Sequence, residues 1–560
     1  MTELLTGAQI LCRTLVDAGV EVMFGYPGGA IMPFYDALHG ADGLRHILVR
    51  HEQAAAHAAD GYARAGHRVG VCVATSGPGA TNLVTGLAAA HMDGSPVLAI
   101  TGQVGRPMLG RDAFQETDVV GVTMPVTKHN VLVRDVEELA DDVRDAIAIT
   151  MEGRPGPVLV DVPKDVQNQK TEYRTRPHPS RRSAQRAAPR DLPDEATMRE
   201  VARLIAAAKR PLLMIGHGVI VSEAYAEIRG FAERTGMPVI TTLLGISAFP
   251  QAHELHLGMP GMHGEVHVNK AIQAADLIIG IGMRFDDRVT GNTATFAPQA
   301  RIVHVDIDAA AIGRNVPVAI GIVGDARQVV ERLLTVVAPR ECLSWRQEIA
   351  ALARHREEAF AGGLSPEVIL SALADVTGGR CTIVSDVGQH QMWVAQRYPF
   401  QRANTHITSG GLGAMGFAVP AAMGVHLARP GEPVWAISGD GGFQMNMAEI
   451  ATMVQEGLEV KLAVFNNGYL GMVRQWQQFF HGGRYSNTPI WSPDYVKLAE
   501  AYGIPGWRVK QAGEVTDALR LANETPGPSL VELVIEQEAN VFPMIVPGGS
   551  LSEPLEAAPA

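Results

Sequence analysis

Cysteine is scarce in this chain. Its 560 residues hold four, Cys12, Cys72, Cys342 and Cys381, with no CxxC pair among them. Neither a zinc ribbon nor a disulfide scaffold is on offer, and a reducing, cytoplasmic setting is expected. Positive charge is also short: 47 Lys+Arg stand against 59 Asp+Glu, a formal charge of −12. That balance supplies no footprint for nucleic acid or an anionic membrane surface. No run approaches the roughly 18 apolar residues of a spanning helix. The opening MTELLTGAQILCRTLVDAGV carries acids and the apolar spacing of an amphipathic helix, unlike a secretory leader. The 19 histidines include no HExxH, which removes a zincin site, and no adjacent pair.

What is present is apolar material for several cores, 46% of the residues, punctuated by 59 glycines and 34 prolines. Short β-rich runs alternate with longer helical stretches, the rhythm of α/β domains with mainly parallel sheets flanked by helices. Strands are predicted at VGVCVAT and PVLAIT, then at PLLMIG, PVITT, DLIIGIG and RIVHVDID, then at CTIVSD, VWAISGD, KLAVFNN and SLVELVI. Three domains of similar size follow: 1–172, 191–340 and 366–545. The Pro, Arg and Ser of RTRPHPSRRSAQRAAPR predict a linker over 173–190, and a charged helical segment predicts another over 341–365. The tail 546–560 has too few apolar residues to fold alone and is expected to be mobile or ordered by ligand.

The most informative stretch is Gly439-Asp440-Gly441, followed after a helix and a strand by Asn466-Asn467. Two strands ending at these points put Asp440 and Asn467 on one sheet edge, where open α/β sheets bind ligands. The turn glycines, Gly439, Gly441 and Gly442, let backbone amides approach a phosphate, and a carboxylate with amide and carbonyl oxygens suits Mg²⁺, which keeps phosphate oxygens among its ligands. A metal-bridged diphosphate is predicted; an ordinary loop turn and strand end is the alternative. GLGAMG, with Gly411, Gly413 and Gly416, matches GxGxxG, but the weak strand before it and the lack of a following acid argue against a dinucleotide fingerprint.

The arrangement resembles the signature of thiamine-diphosphate enzymes, and within them the acetohydroxyacid (acetolactate) synthase family, over nearly the whole chain. The resemblance implies a pyrimidine-binding first domain, a central domain of the pyruvate-oxidase-like kind and a diphosphate-binding third domain. Glu52, in RHEQAAAHAADGYAR, matches the carboxyl group that engages the aminopyrimidine; an acid favoured at a helix N-terminus is its plain reading. Tyr26, Pro27, Gly28, Gly388, Gln389, His390, Gly413 and Met415 join the cofactor set, with Met415 propping the bent coenzyme. Tyr469 joins Asp440 and Asn467 around the cation. Because Glu52 and Asp440 lie in different domains, the family pattern places the coenzyme between two subunits of a homodimer or homotetramer.

The reaction implied is decarboxylation of pyruvate and transfer of the hydroxyethyl group to pyruvate or 2-ketobutyrate, in branched-chain amino acid biosynthesis leading to isoleucine and valine. The missing His-His pair disfavours a simple decarboxylase. Gln115, in GRDAFQETD, and the Gly29 amide match oxyanion donors, Phe114 a pocket wall, and Lys128 a basic residue at the entrance, although a lone lysine is usually solvated. Met472, Val473 and Trp476, in GYLGMVRQWQ, match the second-substrate pocket, where the tryptophan prefers 2-ketobutyrate. FAD in the central domain is implied by Arg154, Met262, His263, Gly282, Arg284, Asp286, Arg288, Asp306, Ile307 and Asp325. RFDDR by itself also reads as an exposed ion-pair cluster. The resemblance further implies a small regulatory subunit. Pyruvate oxidase and the catabolic acetolactate synthases, which lack the flavin set, are the alternatives.

Overall fold

The structure is a computed structural model that describes residues 3–173, 194–353 and 364–558. Its core is three sheets of six strands, every neighbouring pair in each of them parallel. The central strands include continuous apolar runs such as Gly70–Ala74, Pro211–Ile215 and Leu277–Ile281, buried on both faces by flanking helices, the pattern parallel sheets require.

Renumbering the strands of each sheet in chain order shows which layers repeat. The first sheet, from Val22–Gly25 to Val158–Pro163, runs 2-1-3-4-6-5, and the third, from Thr382–Ser385 to Ser529–Val534, runs 2-1-3-4-6-5 as well. The middle sheet, from Pro211–Ile215 to Ile320–Val323, runs 3-2-1-4-5-6. Strand order reverses beside the first strand in all three, and ligands bind outside the carboxyl ends of the strands at such points.

The first and third domains are joined by two helices of small residues, Glu52–Gly66 and Ala418–Ala428. A methyl group added to Gly61 would strike the Ala421 carbonyl, and one added to Gly424 the Ala58 carbonyl. Only glycine permits that approach. Beside them Arg64 is buried among Asp60 (2.7 Å), Asp93 (2.8 Å), the Ser95 hydroxyl (2.8 Å) and the Thr408 carbonyl (2.8 Å). Asp93 also accepts the Gly410 amide at 3.1 Å and the Gly411 amide at 2.6 Å, while its backbone carbonyl lies 2.7 Å from His217 Nδ1 of the central domain.

Several expectations are corrected. A strand, Glu3–Thr6, precedes the first helix and pairs antiparallel with Lys170–Tyr173. Tyr173 is therefore buried, its hydroxyl donating to Asp17 at 2.8 Å, and is not the start of a solvated linker; the rest of that predicted linker, 174–190, lies outside the described residues. Within 341–365, the helix Leu343–Leu352 seats Trp345 in the central core, with its indole N–H on the Pro211 carbonyl at 3.2 Å. The tail is folded too. Pro554–Leu555 pairs with Met544–Ile545, and Leu551 packs into the same core. The weak strand before GLGAMG is a real edge strand, His406–Thr408, but the next helix begins only at Ala418, so the glycines do not open a helix as a dinucleotide fingerprint does.

Candidate active site

Each sheet gathers one group of the predicted residues at its reversal point. In the third domain, the strand Val434–Gly439 runs straight into the helix Asp440–Asn446, so Asp440 is the first helical residue instead of the middle of a turn. That helix stops at Asn446 and resumes at Ile450, where one continuous helix was expected. The Asp440 carboxylate accepts the amides of Gly441 (3.0 Å) and Gly468 (2.8 Å) and the Ser492 hydroxyl (3.3 Å). Burial still pushes its pKa up to about 6, with these donors pulling back. Asn467 is buried alongside; its Oδ1 accepts the Tyr469 amide at 3.1 Å and its Nδ2 donates to Gln389 at 3.4 Å.

Gln389 stands behind this group, its amide donating to Gln475 and the Ala539 carbonyl. His390 accepts the Gly439 amide at 3.3 Å, and burial holds its pKa down at about 3, so the ring is neutral. The Met415 methyl lies 3.6 Å from where a Gly441 side chain would begin. A side chain on Gly442 would collide with Asp386.

In the first domain, Glu52 opens its helix, and its carboxylate accepts the Asn82 side-chain amide at 2.9 Å. Thr75, Gly28, Gly77, Gly79 and Gln115 converge there. A side chain on Gly28 would meet Thr75, one on Gly79 would meet Thr75 and then Glu52, and one on Gly77 would meet Gln115. Gln115 itself is held at φ +59°, in a loop tied by Glu116 to the amides of Gly110, Arg111 and Ala113. Gly29 is open to solvent, Pro27 is half-buried and Tyr26 is exposed.

The central domain supplies a third group around a cavity of about 990 Å³, which Val387, Gly388, Gly413, Met415, Met472, Val473 and Trp476 of the third domain also line. At its reversal point Gly216, Gly218 and Gly282 pack backbone on backbone. Arg154 donates to the Met92 carbonyl (2.8 Å), Arg284 to Asp286 (3.3 Å) and Arg288 to the Met262 sulfur (3.3 Å). Burial raises the Asp306 carboxyl to about 6 and lowers His263 to about 4, and His263 Nδ1 is buried with no hydrogen-bond partner among the described residues. Asp325 caps the helix Ala326–Val336 and accepts the Ser222 hydroxyl at 3.0 Å. Ile307 is half-buried at the cavity wall.

Family models with the descriptions thiamine pyrophosphate enzyme N-terminal TPP binding domain, central domain and C-terminal TPP binding domain match residues 5–122, 198–333 and 386–533. An acetolactate synthase large subunit of Corynebacterium glutamicum is 47% identical over 98% of this chain and 90% of its own length. Those of Haemophilus influenzae and Pyropia yezoensis are 41% and 44% identical, covering 99% and 97% of this chain and 99% and 94% of their own. The chain belongs to the acetolactate synthase family of thiamine-diphosphate enzymes.

Measured against the family's expected site, two residues sit differently. Lys128 is no free cation at an entrance: its ammonium caps the helix Leu139–Met151 through the carbonyls of Ile149 (2.6 Å) and Glu152 (2.5 Å), and burial lowers its pKa to about 8. Phe114 is 88% exposed and walls nothing among the described residues. Trp476 meets Phe480 edge-on, ring centroids 5.7 Å apart, beside Met262.

Among the described residues no hydrogen bond or ion pair joins the Glu52 group to the Asp440 group, and exposed apolar side chains lie beside both: Tyr26 and Phe114, the latter next to Gln115, at the first, and Trp491, 81% exposed and next to Ser492, at the second. Asp386 was missed. It ends the strand run CTIVSD as Asp440 ends VWAISGD, and it accepts the amides of Val387 (2.8 Å), Gly416 (2.9 Å) and Phe417 (3.2 Å), anchoring the loop that carries Met415. Asn82 and Ser492 left no mark in the sequence, because only the fold brings them to the carboxylates.

Proposed function

We propose that this chain decarboxylates pyruvate on thiamine diphosphate and joins the two-carbon fragment to a second 2-ketoacid. Pyruvate as acceptor gives 2-acetolactate and 2-ketobutyrate gives 2-aceto-2-hydroxybutyrate, for valine and isoleucine biosynthesis. One observation carries the reading. Two sheets of the same strand order bear, at the same edge, Glu52 on one and an oxygen-only set of Asp440 and Asn467 on the other.

The residues fit the groups this reaction needs. Gly441 and Gly442 leave no side chain between the strand end and a diphosphate, and Met415 lies beside them. Asp440, the Asn467 side chain and the Tyr469 carbonyl would hold Mg²⁺, a hard cation that takes such oxygens together with phosphate oxygens. Thiamine diphosphate, when bound, supplies an acidic carbon that adds to a keto group and accepts the electron pair released with CO₂. Glu52, oriented by Asn82, would share a proton with the aminopyrimidine ring nitrogen. Gln115 and the Gly29 amide would donate to the developing oxyanion, in a site that Phe114 walls once a second copy covers it. Met472, Val473 and Trp476 would receive the acceptor's alkyl end; one methylene there is worth about 1–3 kcal/mol, or roughly 10- to 200-fold.

FAD fits the central cavity. About 990 Å³ is within the range of cofactor pockets, Arg154, Arg284 and Arg288 suit a diphosphate, Asp286 and Asp306 suit hydroxyl groups, and the unpartnered His263 Nδ1 awaits a donor or acceptor. A homodimer or homotetramer completes the site, and a small regulatory subunit accompanies it. The assay supplies pyruvate and 2-ketobutyrate with and without thiamine diphosphate and Mg²⁺. Acetohydroxyacids formed only with both support the reading, and acetate or acetyl phosphate with oxygen uptake refutes it. Purified protein without yellow colour would refute the flavin.

A further inference from the structure

Glu449 is a carboxylate buried to 1% exposure at the break between the helices Asp440–Asn446 and Ile450–Glu456. Such burial is costly unless hydrogen bonds or charge meet the group. Its Oε1 accepts the backbone amide of Arg50 at 2.8 Å, and its Oε2 accepts the Thr452 hydroxyl at 2.7 Å. The Arg50 guanidinium is turned to the Leu48 carbonyl and to Gln455 instead. The acid therefore serves backbone of the first domain, two residues before Glu52 and one before His51, which caps the Glu52 helix by accepting the Gln53 amide at 3.1 Å. The same stretch of chain starts at Asp440, and its Asn446 donates to the Gly416 carbonyl at 2.7 Å, next to Met415.

We propose that Glu449 is a positioning residue for the reaction: through the Arg50 amide it fixes the first turn of the Glu52 helix and so the direction of the Glu52 carboxyl group. The proposal rests on the reading of Glu52 as the carboxyl group that engages the aminopyrimidine. Acidic charge alone does not explain the arrangement, because the contact is to an amide and the nearby cation is directed elsewhere. Removing a charged acceptor from a buried amide corresponds to about tenfold or more in an equilibrium that depends on it.

The test compares Glu449→Ala, Glu449→Gln and Glu52→Gln in the full chain. Amide hydrogen exchange of the segment around 46–56 is followed without coenzyme. Coenzyme affinity and the exchange rate of the C2 proton of bound thiamine diphosphate are measured with it. The expected result for Glu449→Ala is faster amide exchange, C2-proton exchange slowed about tenfold or more, and coenzyme affinity close to that of the parent. Glu449→Gln keeps an oxygen for the Arg50 amide and should stay near the parent. Parent-like C2 exchange in Glu449→Ala while Glu52→Gln is slowed overturns the proposal, as does equal slowing in the glutamine variant. Parent-like exchange in Glu52→Gln would instead overturn the reading of Glu52. If Glu449→Ala does not fold, Thr452→Val removes the hydroxyl that orients Glu449 and should slow C2 exchange by a smaller factor; no slowing there overturns the proposal as well.

Discussion

Replacing Asp93 by alanine should destabilise this protein severely, because one buried carboxylate ties the first domain to the third. Asp93 accepts Arg64 Nη2 at 2.8 Å and the amides of Gly410 and Gly411 at 3.1 and 2.6 Å. The variant strands two half-buried amides, at up to about 1–3 kcal/mol each, and breaks a buried pair, a change typically of about 3–5 kcal/mol. These overlap, so about 4 kcal/mol is the working figure. An opposing effect exists, since Arg64 faces two carboxylates and removing one relieves repulsion on Asp60. Burial, however, is the largest influence raising the Asp60 pKa, and Asp93 is the smallest of those acting on it. Loss of hydrogen bonds wins. With about 2–4 °C per kcal/mol for domains of this size, the apparent unfolding temperature should fall by roughly 10 °C. Thermal unfolding followed by near-ultraviolet circular dichroism measures it, with kcat as a second readout because Gly410 and Gly411 begin the loop to Met415. An unfolding temperature within about 2 °C of the parent would refute the account of this network.

Three other outcomes are expected. Asp161 is buried, accepts Thr101 at 2.7 Å and Gln103 at 2.9 Å, and has its pKa raised by burial from 3.8 to about 7. Its contribution to stability is full below pH 3.8 and is lost as pH rises through about 7. Asp161→Asn should therefore gain on the parent between pH 5 and 8 in urea unfolding, and a constant difference would sink the assignment. Trp476→Leu should lower the preference for 2-ketobutyrate over pyruvate within the roughly 10- to 200-fold range open to one methylene, read from product ratios in competition, with pyruvate self-condensation spared. Lys128→Gln should cost about 1–2 kcal/mol of stability through lost helix capping and leave KM for pyruvate nearly unchanged; a large rise in KM would restore Lys128 to the entrance.

The sheets were legible because their strands are unbroken apolar runs, and the Asp440 and Asn467 edge because glycine and an acid follow such runs directly. Folding of the tail was not legible: Leu551 and Ile545 enter a core whose other members lie in the central domain, so local composition understates their burial. Lys128 shows the same effect. A single lysine carries no sign of the helix end 21 residues on that binds it through Ile149. Phe114 reads as a pocket wall, yet the described residues of the single chain leave it bare.

The most direct measurement of the central claim, that each centre takes Glu52 from one copy of the chain and Asp440 from another, is complementation. Glu52→Ala and Asp440→Ala proteins, each inactive alone, are unfolded together and refolded as a mixture. A shared site predicts that mixed dimers regain one intact centre and the mixture about a quarter of parental activity. Recovery of no activity, with mixed dimers demonstrated by mass, would contradict it.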